Sequence, residues 1–291
     1  MVESSGSVYG STYYKSQNVC PRAARLRSLG VRKTGPKSDN LDFGDAFHLV
    51  LERYYLCLQA GLTWRDAVAE AWKVIDPLRG ADGYDKMNAE LEVALTSYFE
   101  FAMNDRWKVI AVEEELIFRG PAFDYSARLD LVVHDLEQDV MLIVEHKSAK
   151  TITAASMQGY QLDLQTLGQI WLMHECVDLT KYPRFAGSVV NITSKQKTAQ
   201  HERVAVRVTE AHLREFETSV AARTKLNALA VELGYPKMLG NCSGAAQYFG
   251  ACEYFDICHG RPDFNVIGVD KLLTEDLPFG FIVADTAATN R

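Results

Sequence analysis

Val140-Met141-Leu142-Ile143-Val144-Glu145-His146-Lys147 is an unbroken apolar run that ends in three ionisable residues. Five apolar side chains in succession leave neither face of a strand polar, which marks a central strand covered on both sides. Strand alternation then sends Glu145 and Lys147 to one face and His146 to the other. A carboxylate at the end of such a strand is costly to bury unless it is paired or holds a cation.

The segment before it, Ser126-Ala127-Arg128-Leu129-Asp130-Leu131-Val132-Val133, reads as a neighbouring strand, joined through the polar turn Asp135 to Asp139. Its alternation puts Arg128, Asp130 and Val132 on one face, with Asp130 among apolar neighbours. Carboxylates on adjacent strands, Asp130 and Glu145, suit a shared hard cation such as Mg²⁺ or Mn²⁺. Lys147 shares the face of Glu145, placed to position a water or to offset charge on a phosphoryl oxygen. On these residues alone, a structural Glu-Lys pair at a strand end explains the triplet equally well. His146 reads as structural, with its backbone carbonyl as a further ligand, and Glu113, Glu114 and Glu115 read as a charged strand start, the alternative being that one of them helps the metal site.

Outward from these strands the periodicity predicts helices over Leu41 to Ala60, from Thr63 as N-cap to before Pro77, and over Asp85 to Met103. Strands follow at Val109 to Phe118, Phe123 to His134 and Val140 to Lys147, then one long helix from Ser156 to Val177. Strands Gly187 to Thr193 and Arg203 to Val208, a helix Thr209 to Leu233 and a short irregular cysteine-rich segment complete the order. Helices, a mixed sheet interrupted by a helix, then helices again give an α/β class. With 291 residues, 47% of them hydrophobic, the chain is long enough for a full core in one large domain. No apolar run nears the roughly 18 residues of a membrane span, and Met1 to Gly6 lacks the blocks of a signal peptide. The expected location is cytoplasmic, without a membrane partner, where reduced thiols favour metal ligation over disulfides.

Cys20 lies near the start of the chain, whereas Cys242, Cys252 and Cys258 gather near its end. Four thiolates suffice for one metal or iron-sulfur site. Cys57 and Cys176 read as small buried hydrophobes, and His259 is a substitute ligand beside Cys258. The net charge of −7 argues against a surface that grips nucleic acid everywhere. Locally, Arg22 to Lys37 carries six basic residues and no acidic one, a candidate phosphate-attracting patch that includes Arg22, Arg25 and Arg27.

Asp130 followed by Glu145-His146-Lys147 resembles the signature of the PD-(D/E)XK nucleases, in the RecB-like branch. Gly44-Asp45-Ala46-Phe47-His48 is similar to that branch's G-x-x-x-H helix, which implies a metal-ligand role for His48. Gln165 falls where the branch has its Q-x-x-x-Y motif. One cysteine before the core and three after it is the layout of iron-sulfur members, including AddB-type subunits and CRISPR-associated RecB-like exonucleases. The resemblance covers roughly Tyr13 to His259. It implies a restriction-endonuclease-like core, a mixed central sheet flanked by helices, with an N-terminal helical insertion and a [4Fe-4S] cluster joining the two ends of the chain. The implied organisation is a single domain over 1–291: a helical portion 41–105 carrying His48, a catalytic sheet core 106–210, and a cluster region formed by 13–40 with 234–262.

The activity implied is metal-dependent hydrolysis of DNA, by an exonuclease on single-stranded or end-frayed substrates in recombination, repair or phage DNA processing. A non-catalytic DNA-binding subunit and a CRISPR spacer-processing nuclease are the alternatives. His48, Asp130 and Glu145 would hold Mg²⁺ or Mn²⁺, with Lys147 and Gln165 completing the catalytic set. Cys20, Cys242, Cys252 and Cys258 would hold the cluster, structural Zn²⁺ being the competitor, and Arg22, Arg25, Arg27 and Lys150 would contact DNA. Three departures stand out. Ala127 and Arg128 occupy the place of a usual glycine, Gln169 stands where the tyrosine is expected, and Cys242 and Cys252 are ten positions apart.

Overall fold

The structure, a computed structural model, describes residues 9–34, 39–76, 85–236, 252–260, 277 and 280–283. In chain order the elements are α1 (Ser11–Val19), α2 (Pro21–Ser28), β1 (Val31–Lys33), α3 (Asp39–Gln59), α4 (Trp64–Trp72), α5 (Asp85–Ala102), β2 (Trp107–Arg119), β3 (Asp124–Asp135) and β4 (Val140–Ala149). There follow α6 (Ala154–Gly159), α7 (Leu164–Cys176), β5 (Arg184–Ser194), β6 (His201–Val206), α8 (Glu210–Glu232), α9 (Phe255–Gly260) and β7 (Phe281–Val283). They divide into two compact units, one of Lys37–Phe118 with Ala127–Leu213 and one of Met1–Pro36, Arg119–Ser126 and Arg214–Arg291.

The first unit is built on a five-stranded sheet of order β2-β3-β4-β5-β6. β4 pairs antiparallel with β3 and parallel with β5, and β5 pairs antiparallel with β6, so the sheet is mixed. As the apolar run requires, β4 is the central strand and is buried on both faces. Its even-numbered residues Leu142 and Val144 pack with Phe47, Val50 and Tyr54 of α3 and with Tyr98 and Phe99 of α5. Its odd-numbered residues Met141 and Ile143 pack with Ile170 and Met173 of α7. Burying side chains of this size contributes about 1.5–3 kcal/mol each, so this alternation fixes the register of the sheet between its two helical layers.

One expectation is corrected here. The long helix over Ser156 to Val177 is two helices with a 3₁₀ turn, Tyr160–Leu162, between them. Thr153 opens α6 with a capping box to Ser156, and Asp163, in extended conformation, caps α7 by accepting from the Gln165 backbone N–H at 2.8 Å. The cap restarts the helix in a new direction, because an aspartate satisfies an orphan N–H better at a helix start than inside a helix.

The second unit joins distant parts of the sequence. β1 pairs antiparallel with β7, Val31 opposite Val283 and Lys33 opposite Phe281. Leu26, Val31, Tyr254, Ile257, Leu277 and Phe281 form its core, and the Tyr254 hydroxyl donates to the Val31 carbonyl at 3.0 Å. The cysteine-rich segment read as short and irregular therefore includes a helix, α9; β7 beyond it, and α1, α2 and β1, were not foreseen. Pro21 at the first position of α2 costs no hydrogen bond, since that N–H has no helical partner in any case. Cys242, Lys37 and Pro77 lie outside the described residues.

Candidate active site

The β3–β4 ladder runs from Asp135 opposite Val140 to Leu131 opposite Val144. Asp130 is the next residue along, and there the side chain replaces backbone pairing: the His146 N–H donates to Asp130 Oδ2 at 2.8 Å. β4 continues beyond this point, pairing with β5 as far as Ala149 opposite Ser194. Alternation carries Glu145 onto the α7 side. There it is almost fully buried and closely held: Lys147 Nζ donates to Oε1 at 2.5 Å, Gln165 Nε2 to Oε1 at 2.6 Å and Gln169 Nε2 to Oε2 at 2.6 Å. Gln165 and Gln169, four positions apart, occupy one face of α7. Gln165 also accepts from Lys147 Nζ at 3.1 Å. Burial opposes charge on Lys147, but the carboxylates of Glu145 and Asp130 outweigh it and raise its pKa, so the ammonium is kept.

His146 faces the other way, as alternation requires. Its ring stacks on Tyr55 at 5.5 Å and meets Tyr98 edge-on at 5.7 Å, and burial keeps it neutral. α3 brings in His48, whose Nδ1 lies 3.4 Å from Asp130 Oδ2. Burial lowers its pKa, leaving the neutral imidazole that a metal ligand needs. Asp130 is pushed well above the carboxylate range, first by burial and then by the charge of Glu145. A cation would relieve both effects.

Glu113 completes this arrangement. Donor atoms of His48, Glu113 and Asp130 lie within 4.8 Å of one another, the one such group of three among the described residues. Glu113 has φ 52°, a left-handed backbone costing a glutamate on the order of 1 kcal/mol, a strain that tends to accompany function. Its Oε2 forms an ion pair with Arg128, 2.9 Å from Nε. Burial pushes its carboxyl up to about 7 against the pull of Arg128. Of the three glutamates at this strand start, Glu113 is the one that joins the potential ligand set, whereas Glu114 and Glu115 are exposed. The run of three glutamates was the signal, but sequence alone does not say which of them turns inward. Gln169, noted only as a departure, is a direct partner of Glu145.

The remaining expected residues lie elsewhere. Lys150 is exposed just after β4. Arg22 donates to the Tyr235 carbonyl at 3.2 Å, Arg25 lies 5.5 Å over the Tyr235 ring, and Arg27 pairs with Glu253. These three arginines hold the second unit together, which competes with contact to phosphate. Cys20 is buried at the start of α2, and Cys252 and Cys258 are part-buried before and within α9.

A profile of the PD-(D/E)XK nuclease superfamily matches residues 12–259. The chain belongs to the PD-(D/E)XK nuclease superfamily. Superfamily members use divalent metals, and the His48, Glu113 and Asp130 donors lie close enough together to hold such an ion. A solved structure from Eubacterium rectale, assigned provisionally as an exonuclease, aligns over 87% of this chain and 87% of its own, with 13% identity and a TM-score of 0.52, a likeness of fold. A second, SSO0001, aligns over 86% and 85% at 11% identity with a TM-score of 0.36, too low to carry an argument. No curated protein matches the chain. As a PD-(D/E)XK nuclease, the protein has DNA as its substrate class, and none of its described helices is long and apolar enough to cross a membrane.

Proposed function

We propose that the protein is a metal-dependent exonuclease acting on single-stranded or frayed DNA ends. The observation that carries this reading is the juxtaposition of the His48, Glu113 and Asp130 donors with a buried, triply hydrogen-bonded Glu145 and a charged Lys147. Imidazole and carboxylate donors suit Mn²⁺ and Mg²⁺. When bound, the cation supplies Lewis-acid stabilisation of the phosphate and lowers the pKa of a water. The chain's own residues do the rest. Asp130, fixed by the His146 N–H, and His48, neutral by burial, hold ligand atoms in place. Glu145 lies outside that donor trio, but its charge acts on both His48 and Asp130, and two glutamines fix its oxygens. Lys147, tethered by Glu145 and Gln165, keeps an ammonium ready for the charge that develops on a phosphoryl oxygen.

The RecB-like arrangement with an iron-sulfur cluster belongs to the same proposal. Cys20, Cys252 and Cys258 lie in one unit and supply the soft thiolates that a cluster or zinc requires. The test is incubation of anaerobically purified protein with end-labelled single- and double-stranded DNA and Mn²⁺ or Mg²⁺, beside Lys147→Ala. Cleavage from ends that is lost in the variant supports the reading, and absence of metal-dependent cleavage by the parent overturns it.

A further inference from the structure

The second unit contains a pocket of about 300 Å³ that the metal chemistry does not use. Tyr9 and Tyr13, Pro121 from the β2–β3 turn, Asp124, and Thr224 and Asn227 of α8 line it. The Tyr9 and Tyr13 rings meet edge to face at 6.1 Å, giving a corner of two flat π surfaces. The Tyr13 hydroxyl accepts from Asn227 Nδ2 at 2.6 Å, which leaves its own proton to donate; burial raises its pKa and keeps that proton in place. Tyr14, by contrast, spends its proton on the Asp124 carbonyl at 2.6 Å. Arg119 lies 5.1 Å over the Tyr9 ring and is anchored to Asp124 Oδ2 at 2.7 Å, with most of its guanidinium side chain exposed.

Flat aromatic walls, a phenol donor and an anchored cation in a volume at the small end of ligand pockets fit one heterocycle with a neighbouring anion. Every nucleobase has a π face, and stacking on aromatic side chains is tolerant of sequence. We propose that this pocket receives one nucleobase of a DNA strand, stacked on Tyr9 and Tyr13, with Arg119 meeting a flanking phosphate. The proposal rests on the nuclease reading and gives it a strand-holding site apart from the metal ligands.

The test measures anisotropy of a labelled single-stranded oligonucleotide in a cleavage-deficient Lys147→Ala background, with Tyr9→Ala, Tyr9→Phe and Ala122→Trp added singly. Stacking is worth about 1–3 kcal/mol per base, so Tyr9→Ala is expected to weaken binding roughly 5- to 100-fold while Tyr9→Phe keeps it. Ala122→Trp, which fills the pocket from its exposed turn, is expected to weaken binding as well. In a series of oligonucleotides with one abasic position each, one position is expected to weaken the background protein and to cancel the Tyr9→Ala effect. Equal affinities for all three added variants, or a Tyr9→Ala loss that no abasic position cancels, would overturn the pocket while leaving cleavage by the parent intact. If the parent neither binds nor cuts DNA, the nuclease reading falls first.

Discussion

Glu113 couples the metal site to pH. Its folded-state pKa, about 7, lies above the roughly 4.3 of an unfolded glutamate. Between those values the metal-free folded protein holds a proton that the unfolded chain has lost, so this group's contribution to stability falls as pH rises through the window. Glu113→Gln is therefore expected to be more stable than the parent near pH 8 and close to it near pH 4, by at most about 4 kcal/mol, reduced by partial exposure. Urea denaturation of chelator-treated protein measures this. A ligand must be ionised to bind, so Mn²⁺ uptake near neutral pH is expected to release a proton, seen as a buffer-dependent heat in calorimetric titration. Lys147→Ala is expected to lower the cleavage rate by at least about 10²–10³-fold, the usual cost of removing one donor aimed at developing charge. Gln169→Leu removes a buried donor from Glu145 Oε2. Its expected cost is about 1–3 kcal/mol of stability together with slower cleavage, whereas a replacement that touches nothing would leave both unchanged.

At the scale of elements, the central strand β4 was legible because burial on both faces writes a continuous apolar run, and the helices α3, α4, α5 and α8 because their apolar stripes recur at helical spacing. Thr63 was also readable as a cap, and it accepts from the Asp66 backbone N–H. The break between α6 and α7 was not. Leu164 to Cys176 continues the helical pattern of what precedes it, and only the capping hydrogen bond of Asp163 distinguishes a restart from a continuation. That cap holds Gln165 and Gln169 toward Glu145. Asp163→Ala is expected to cost about 0.5–2 kcal/mol in thermal or chemical denaturation and to reduce cleavage through the frayed first turn of α7. Asp163→Asn, which still caps, is expected to keep both. α1 and α2 escaped notice because their sequence is mostly polar or basic, and much of their packing is against segments more than 200 positions away, such as Tyr13 on Asn227 and Arg27 on Glu253.

At the scale of the whole molecule, the order of His48, Asp130, Glu145, Lys147 and Gln165 along the chain was enough to suggest one site, but the inward glutamate and the second glutamine needed the folded sheet. The cysteines make the separate test. Anaerobic protein is expected to contain about four irons per chain. Ala replacements at Cys20, Cys252 or Cys258 are expected to lose that iron and to open the second unit to protease before the first, whereas Cys57→Ala is expected to retain it; stoichiometric zinc without iron would replace the cluster. The pairing of β1 with β7 has a consequence in time rather than space. Translation adds roughly 5–20 residues per second, so Val31 waits some tens of seconds on the ribosome before Val283 exists to pair with it. Before that interval ends, all five strands of the sheet carrying Glu145 have been synthesised while Val31 still lacks its partner strand. The order of synthesis thus leaves a window in which the proposed cluster would be delivered to a half-built chain, and the arrival of β7 closes it.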